Sequence, residues 1–110
     1  MLRIFRTEAF VADVDKQIDW YLEETGLDEI FAAELALRFA AAVEETVEFL
    51  ARTPGAGRPR VVRFSDLTGY RGFNLFKPFG RFRIYYRVLG QELHAERLLE
   101  GHRLAASDDR

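Results

Sequence analysis

Cysteine is absent from this 110-residue chain, and histidine occurs only as His94 and His102. Without thiols there is no disulfide framework, no thiolate metal centre and no cysteine nucleophile, and nothing demands an oxidising compartment. Two histidines separated by a strand end do not make a zinc site, so no metal and no cofactor is expected. Long apolar runs are also missing. The opening MLRIFRTEAF has neither the length of a membrane span nor a small-residue cleavage pattern, which leaves the cytoplasm as the expected compartment and no membrane as a partner. No glycine-rich phosphate loop precedes a helix: Gly55-Ala56-Gly57 follows a helical pattern and leads towards a strand. Ser65 and Ser107 lack the neighbouring His and acid of a nucleophile triad.

What is present is a chain that is 48% hydrophobic and 14% aromatic, enough for one core and one domain over residues 1–110. Its formal net charge of −2 is unevenly placed. Residues 1–51 hold 4 Lys+Arg against 12 Asp+Glu, a balance of −8, whereas 52–110 hold 12 against 6, a balance of +6. Such asymmetry between halves marks a directed partner surface.

Leu2 to Arg6 alternates apolar and basic residues as a short strand does, and Thr7 offers a capping oxygen where a helix can begin. Phe10, Val14, Ile18 and Leu22, with Val11 and Tyr21 beside them, recur at helical spacing, and Gly26 suits the end of that helix. Asp28 is placed to cap a second helix, whose apolar line runs through Phe31, Leu35, Phe39, Val43, Val47 and Leu50. Its alanines permit close approach, so residues 7–51 read as an antiparallel helical hairpin stopped by Thr53-Pro54-Gly55. Beyond it the period becomes alternating, with strands predicted at Val61–Phe64, Arg71–Phe76, Arg81–Leu89 and Glu92–Leu99. Gly90 supplies the positive backbone angle of a tight two-residue turn. The expected fold is α+β in the order βααβββ, an N-terminal strand and a helical hairpin packed on a curved antiparallel sheet.

With Gly90-Gln91 as the turn, Phe82, Ile84, Tyr86 and Val88 share the core face with Leu93, Ala95, Arg97 and Leu99. Arg81, Arg83, Tyr85 and Arg87 share the other with His94, Glu96, Leu98 and Glu100, leaving Arg83 and Arg87 without an acidic partner. Arg97 fits this register badly, which points to snorkelling at the sheet margin or a register one residue out. Metal-free RNA cleavage would need a proton acceptor, a proton donor and cations at the phosphate. Arg71, Lys77, Arg83 and Arg103 could supply the charge, and His102, Tyr85 or Tyr86 could move protons.

Several patterns, in this order and spacing over about a hundred residues of the chain, together resemble the ParE/RelE toxin superfamily of type II toxin–antitoxin systems. They are Thr53-Pro54-Gly55-Ala56-Gly57-Arg58, Gly69-Tyr70-Arg71, Phe82-Arg83-Ile84-Tyr85-Tyr86-Arg87-Val88 and Glu100-Gly101-His102-Arg103. The resemblance implies a toxin held inactive by a cognate, ParD-like antitoxin in a hetero-oligomer. It implies one of two targets: DNA gyrase, inhibited by binding, as in the ParE branch, or messenger RNA on the ribosome, cut by an endoribonuclease, as in the RelE branch. No tyrosine follows Arg103, and Phe73 and Pro78 stand where RelE-like enzymes carry cations, so the resemblance is closer to the ParE branch. It implies target binding by Arg58, Arg71, Lys77, Arg83, Arg87, His102 and Arg103, and antitoxin binding by Phe10, Val14, Tyr21, Arg83 and Arg87. If the chain were a ribonuclease, Arg71, Arg83, His102 and Arg103 would be its catalytic residues. An inert partner-binding module is the remaining reading.

Overall fold

Two side chains set where the helices begin. In the computed structural model, which describes residues 1–59 and 69–100, Thr7 accepts a hydrogen bond from the Phe10 amide at 3.0 Å and starts α1, Glu8–Glu23. Asp28 accepts from the Ile30 and Phe31 amides and starts α2, Glu29–Arg52. Each supplies an acceptor to first-turn amides that have no partner inside the helix. Gly26, at φ 74°, reverses the chain between them. The expected capping residues and helical hairpin are thus in place.

Among the described residues the strands are β1 (Arg3–Arg6), β2 (Arg58–Pro59), β3 (Arg71–Asn74), β4 (Phe82–Leu89) and β5 (Glu92–Glu100), with a 3-10 turn at Pro54–Ala56. They form one five-stranded sheet in the order β1-β5-β4-β3-β2. The run from β2 to β5 is antiparallel, as expected, while β1 adds to β5 in parallel and makes the sheet mixed. Gly90 at φ 60° carries the β4–β5 turn, and Gln91 keeps a negative φ, the pattern of a II′ hairpin. The strand predicted at Val61–Phe64 lies outside the described residues.

The helices cover one sheet face. Phe10, Tyr21, Phe39, Val43, Val47, Leu50, Ile84, Tyr86, Leu93 and Ala95 are buried between the two layers. Phe39 is central to this core, with its ring centroid 5.4 Å from Tyr21, 5.5 Å from Phe79 and 5.3 Å from Phe82. The Phe79 and Phe82 pairs are edge-on, and such ring contacts add to the burial of their area. The buried stripe of each helix differs slightly from the predicted line. On α1 it swings from Phe10 to Tyr21, leaving Val11 and Leu22 exposed; on α2 Ala32 is buried where Phe31 was expected.

The β4–β5 register corrects the sequence reading. From the turn it runs as predicted through Arg87↔His94 and Tyr86↔Ala95, then slips one residue, so that Tyr85 pairs with Arg97, Ile84 with Leu98 and Phe82 with Glu100. Glu96 is the extra residue of a β-bulge. Leu98 consequently enters the core and Arg97 leaves it, which resolves the misfit at Arg97. Arg81 precedes β4, with its guanidinium carbon 4.9 Å from the centre of the Phe82 ring, and Phe82 is the register partner of Glu100.

The bulge lies where β1 ends and β5 loses its neighbour. There Thr7 donates from its hydroxyl to the Glu96 carbonyl at 2.8 Å and from its amide to the Ala95 carbonyl at 3.1 Å. Asp13 accepts from the Leu98 amide at 2.9 Å and from both Nε and Nη2 of Arg97. The first turns of α1 therefore stand in for a strand along this edge.

A second network fixes the chain after α2. The Tyr86 hydroxyl donates to the Pro54 carbonyl at 2.7 Å and accepts from the Gly57 amide at 2.8 Å, while Arg71 Nη1 donates to the Gly57 carbonyl at 2.7 Å. A Cβ on Gly57 would overlap the Tyr86 phenol.

Tyr86→Phe, which strands the Gly57 amide and Pro54 carbonyl, should lower stability by about 1–3 kcal/mol in urea unfolding. Burial holds the Tyr86 phenol above its ordinary value of 10.0. The folded chain then keeps this proton more tightly than the unfolded one, so stability is intact below pH 10 and falls as pH rises through the raised value. Tyr21 and Tyr70 are shifted the same way, mainly by burial. Tyr86→Phe should make the alkaline decline shallower without removing it. Asp13→Ala should cost more than Arg97→Ala in thermal unfolding. The first orphans a backbone amide, whereas the second removes a half-exposed ion pair worth at most about 1 kcal/mol.

Candidate functional site

Alternation along the strands places Arg58, Arg83, Arg87 and Arg97 on the sheet face turned away from the helices. Across this outer face run three rows: Arg58, Gly72, Tyr85 and Arg97; then Asn74, Arg83 and Leu99; then Arg87, His94 and Phe5. Arg83 and Arg87 lie on one strand four residues apart, about 13 Å by strand rise.

Arg83 is the best-oriented cation of this face. Its Nε donates to Asn74 Oδ1 at 2.9 Å, which fixes the guanidinium plane, and its Nη1 is buried with no hydrogen-bond partner among the described residues. A guanidinium held in one plane is suited to an anionic group that meets its accessible edge. Tyr85, beside it on the face, is buried. Asn74, the group that orients Arg83, was missed in the sequence, where only the β3–β4 pairing could have revealed it.

Arg87 departs from expectation. The bulge brings Glu96 within reach, and Arg87 Nε pairs with its carboxylate at 3.2 Å while the guanidinium carbon lies 5.1 Å from the centre of the Tyr70 ring. Arg87 is therefore not a cation without an acidic partner. At the far margin, Glu92 reaches His94 Nε2 at 3.1 Å and Arg3 at 3.3 Å, and the His94 ring lies tilted against Phe5 with centroids 4.8 Å apart. Among the described residues, Arg58 and Arg83 are the cations of this face that make no ion pair.

The other expected residues divide as follows. Arg71 lies on the helix side of the sheet with Tyr86, bonded to Gly57, and so does not share a face with Arg83. Lys77 is exposed in the β3–β4 connection. Phe10 and Tyr21 are core residues, 1% and 5% exposed, and Val14 packs partly buried against the same core; an antitoxin meets none of the first two at the surface. The large exposed apolar side chains of the helices are Val11, Trp20, Leu22, Ile30, Phe31 and Leu37. His102 and Arg103 lie outside the described residues. A groove of about 780 Å³ between α1 and the ends of β4 and β5 is lined by both signs, including Asp13, Glu23, Arg81 and Arg97, and does not form a single-sign anion pocket.

The family model for the ParE toxin of the type II toxin–antitoxin system, parDE, matches residues 4–104. The chain belongs to the ParE toxin family. Its fold is similar to a solved chain titled as the chromosomal ParDE toxin–antitoxin system from P. aeruginosa, with 25% sequence identity and a TM-score of 0.67 over 91% of this chain and 96% of that one. A conserved hypothetical protein from Helicobacter pylori, HP0894, matches at 20% identity and a TM-score of 0.45, over 93% and 97% of the two chains. No curated protein matches the sequence. Within this ParE family member, the Thr-Pro-Gly-Ala-Gly-Arg segment that carried the resemblance is the segment anchored by Tyr86.

Glu96→Gln should release Arg87 and raise the salt concentration at which the protein leaves a heparin column, while changing stability by less than about 1 kcal/mol because the pair is partly exposed. Arg83→Ala should elute earlier. Coincident elution of both variants with the unmodified protein would refute this face as the anion-binding one.

Proposed function

We propose that this ParE family member inhibits DNA gyrase by binding it and is neutralised by a cognate ParD-like antitoxin. Family membership supports a toxin of a type II pair. The antitoxin partner is supported by the likeness to a chain titled as part of a ParDE system. The observation that carries the mode of action is the outer sheet face, where Arg58 and the Asn74-held Arg83 present positive charge without a carboxylate partner among the described residues. Such a face suits an acidic or phosphate-bearing surface of the target.

Proton transfer is less well served. The Tyr86 hydroxyl is committed to Pro54 and Gly57, Tyr85 is buried, and Arg71 and Arg83 stand on opposite faces of the sheet. The charge and proton groups that a ribonuclease would need at one phosphate are thus not gathered among the described residues. The ribosome-dependent ribonuclease is accordingly the weaker reading.

The purified protein added to a gyrase supercoiling assay should block supercoiling in proportion to its concentration. Arg58→Ala together with Arg83→Ala should weaken that block by at least about tenfold, a loss consistent with two charge-assisted contacts, with an unchanged circular dichroism spectrum. Undiminished supercoiling alongside messenger cleavage in a translation extract would replace this proposal with the ribonuclease.

A further inference from the structure

The outward side of α2 has a composition that the fold does not use. Ile30, Ala33, Leu37 and Ala41 recur at helical spacing and are all exposed, Ile30 at 79% and Leu37 at 71%. A helix ordinarily turns such a stripe to the core, yet α2 already buries a complete stripe through Phe39, Val43, Val47 and Leu50 on its other side. The helix is therefore apolar on two sides. The outer stripe alternates large and small side chains, and Ala33 and Ala41 leave room for another backbone to approach closely.

The charge around the stripe selects the occupant. Glu34 flanks it, and Glu44, Glu45 and Glu48 continue it towards the C-terminus, with Arg38 the cation at its flank. Glu44 is partly neutralised by Arg6. A second copy of this chain would lay these carboxylates against one another, which opposes isologous pairing. A helix whose own apolar stripe is bordered by lysine and arginine would instead bury Ile30 and Leu37 and meet Glu34, Glu45 and Glu48 with opposite charge.

We infer that the outer face of α2, from Ile30 to Glu48, is a docking seat for a basic amphipathic helix of a partner protein. It rests on the proposed toxin–antitoxin reading only for the partner's identity, in which case the helix is a segment of the antitoxin. The seat lies across the molecule from Arg58 and Arg83, so occupying it does not by itself cover the cationic sheet face.

The test uses the full chain and two labelled synthetic helical peptides that share one leucine–alanine stripe, one flanked by Lys and Arg and the other by Glu. Fluorescence anisotropy should show the basic peptide binding, its affinity falling as salt rises, and no comparable binding of the acidic one. Ile30→Ser combined with Leu37→Ser should weaken the basic peptide by about tenfold or more. Both side chains are exposed, so circular dichroism should be unaltered. Equal binding of the two peptides, or an unaffected double variant, would overturn the inference. So would sedimentation showing that the free protein dimerises and that the double variant does not, which would make a second copy the occupant. Inhibition of gyrase by the free protein is measured without peptide, so a failure here leaves that reading standing, and its failure leaves the seat standing.

Discussion

The unpaired edge of β5 beyond Ala95 is the constraint on which the rest of this structure depends. β1 pairs with β5 only as far as Ala95, after which the strand continues to Glu100 with its outward amides and carbonyls in need of partners. Thr7 and Asp13, one turn and a half apart on the start of α1, provide them. That docking fixes α1 to the sheet, and through α1 it sets the angle at which the helical hairpin closes the core. It also stabilises the one-residue bulge at Glu96. Were β5 regular, Leu98 would face solvent and Arg97 the core. The side chains opposite Arg83 and Tyr85 would change as well.

Most of the architecture was legible in the sequence because each element carried its own stop and start. Thr7 and Asp28 cap, Gly26 and Gly90 turn, and the change of hydrophobic period after Thr53 separates helices from strands. Two things were not legible. A bulge has no signature in residue type, and its one trace was an arginine sitting in an apolar column, whose explanation required a carboxylate 84 residues away in sequence. The parallel attachment of β1 is likewise a long-range choice. It follows from sending α1 and α2 across one face and returning the chain by a meander to the strand beside the N-terminus.

The candidate site was legible in composition but not in arrangement. Counting arginines in the second half gave a basic surface; it could not separate those spent internally from those left free. Arg71 and Arg83 share a basic pattern in sequence, yet register places the first with Tyr86 on the covered face and the second on the open one. The Thr53–Arg58 segment shows the same limit from another side. As a string it marks the family; as a structure it is the seam where Gly57 must lack a side chain for Tyr86 to hold α2 against the sheet. Its role is to position β2, and with it Arg58, at the sheet margin.

The sheet separates two surfaces of opposite sign. The helices carry most of the acidic residues of the N-terminal half, and the far sheet face carries Arg58 and Arg83. Packed layers lie about 10 Å apart, comparable to the distance over which physiological salt screens exposed charges, about 8 Å. Charge on one surface is therefore felt only weakly at the other. A partner that engages the helices alone cannot neutralise the guanidinium groups at a distance, and one that covers the sheet alone forgoes the exposed Ile30 and Leu37. Full inactivation by charge thus calls for a partner that is long relative to this domain, has segments of both signs, and passes around an edge of the sheet.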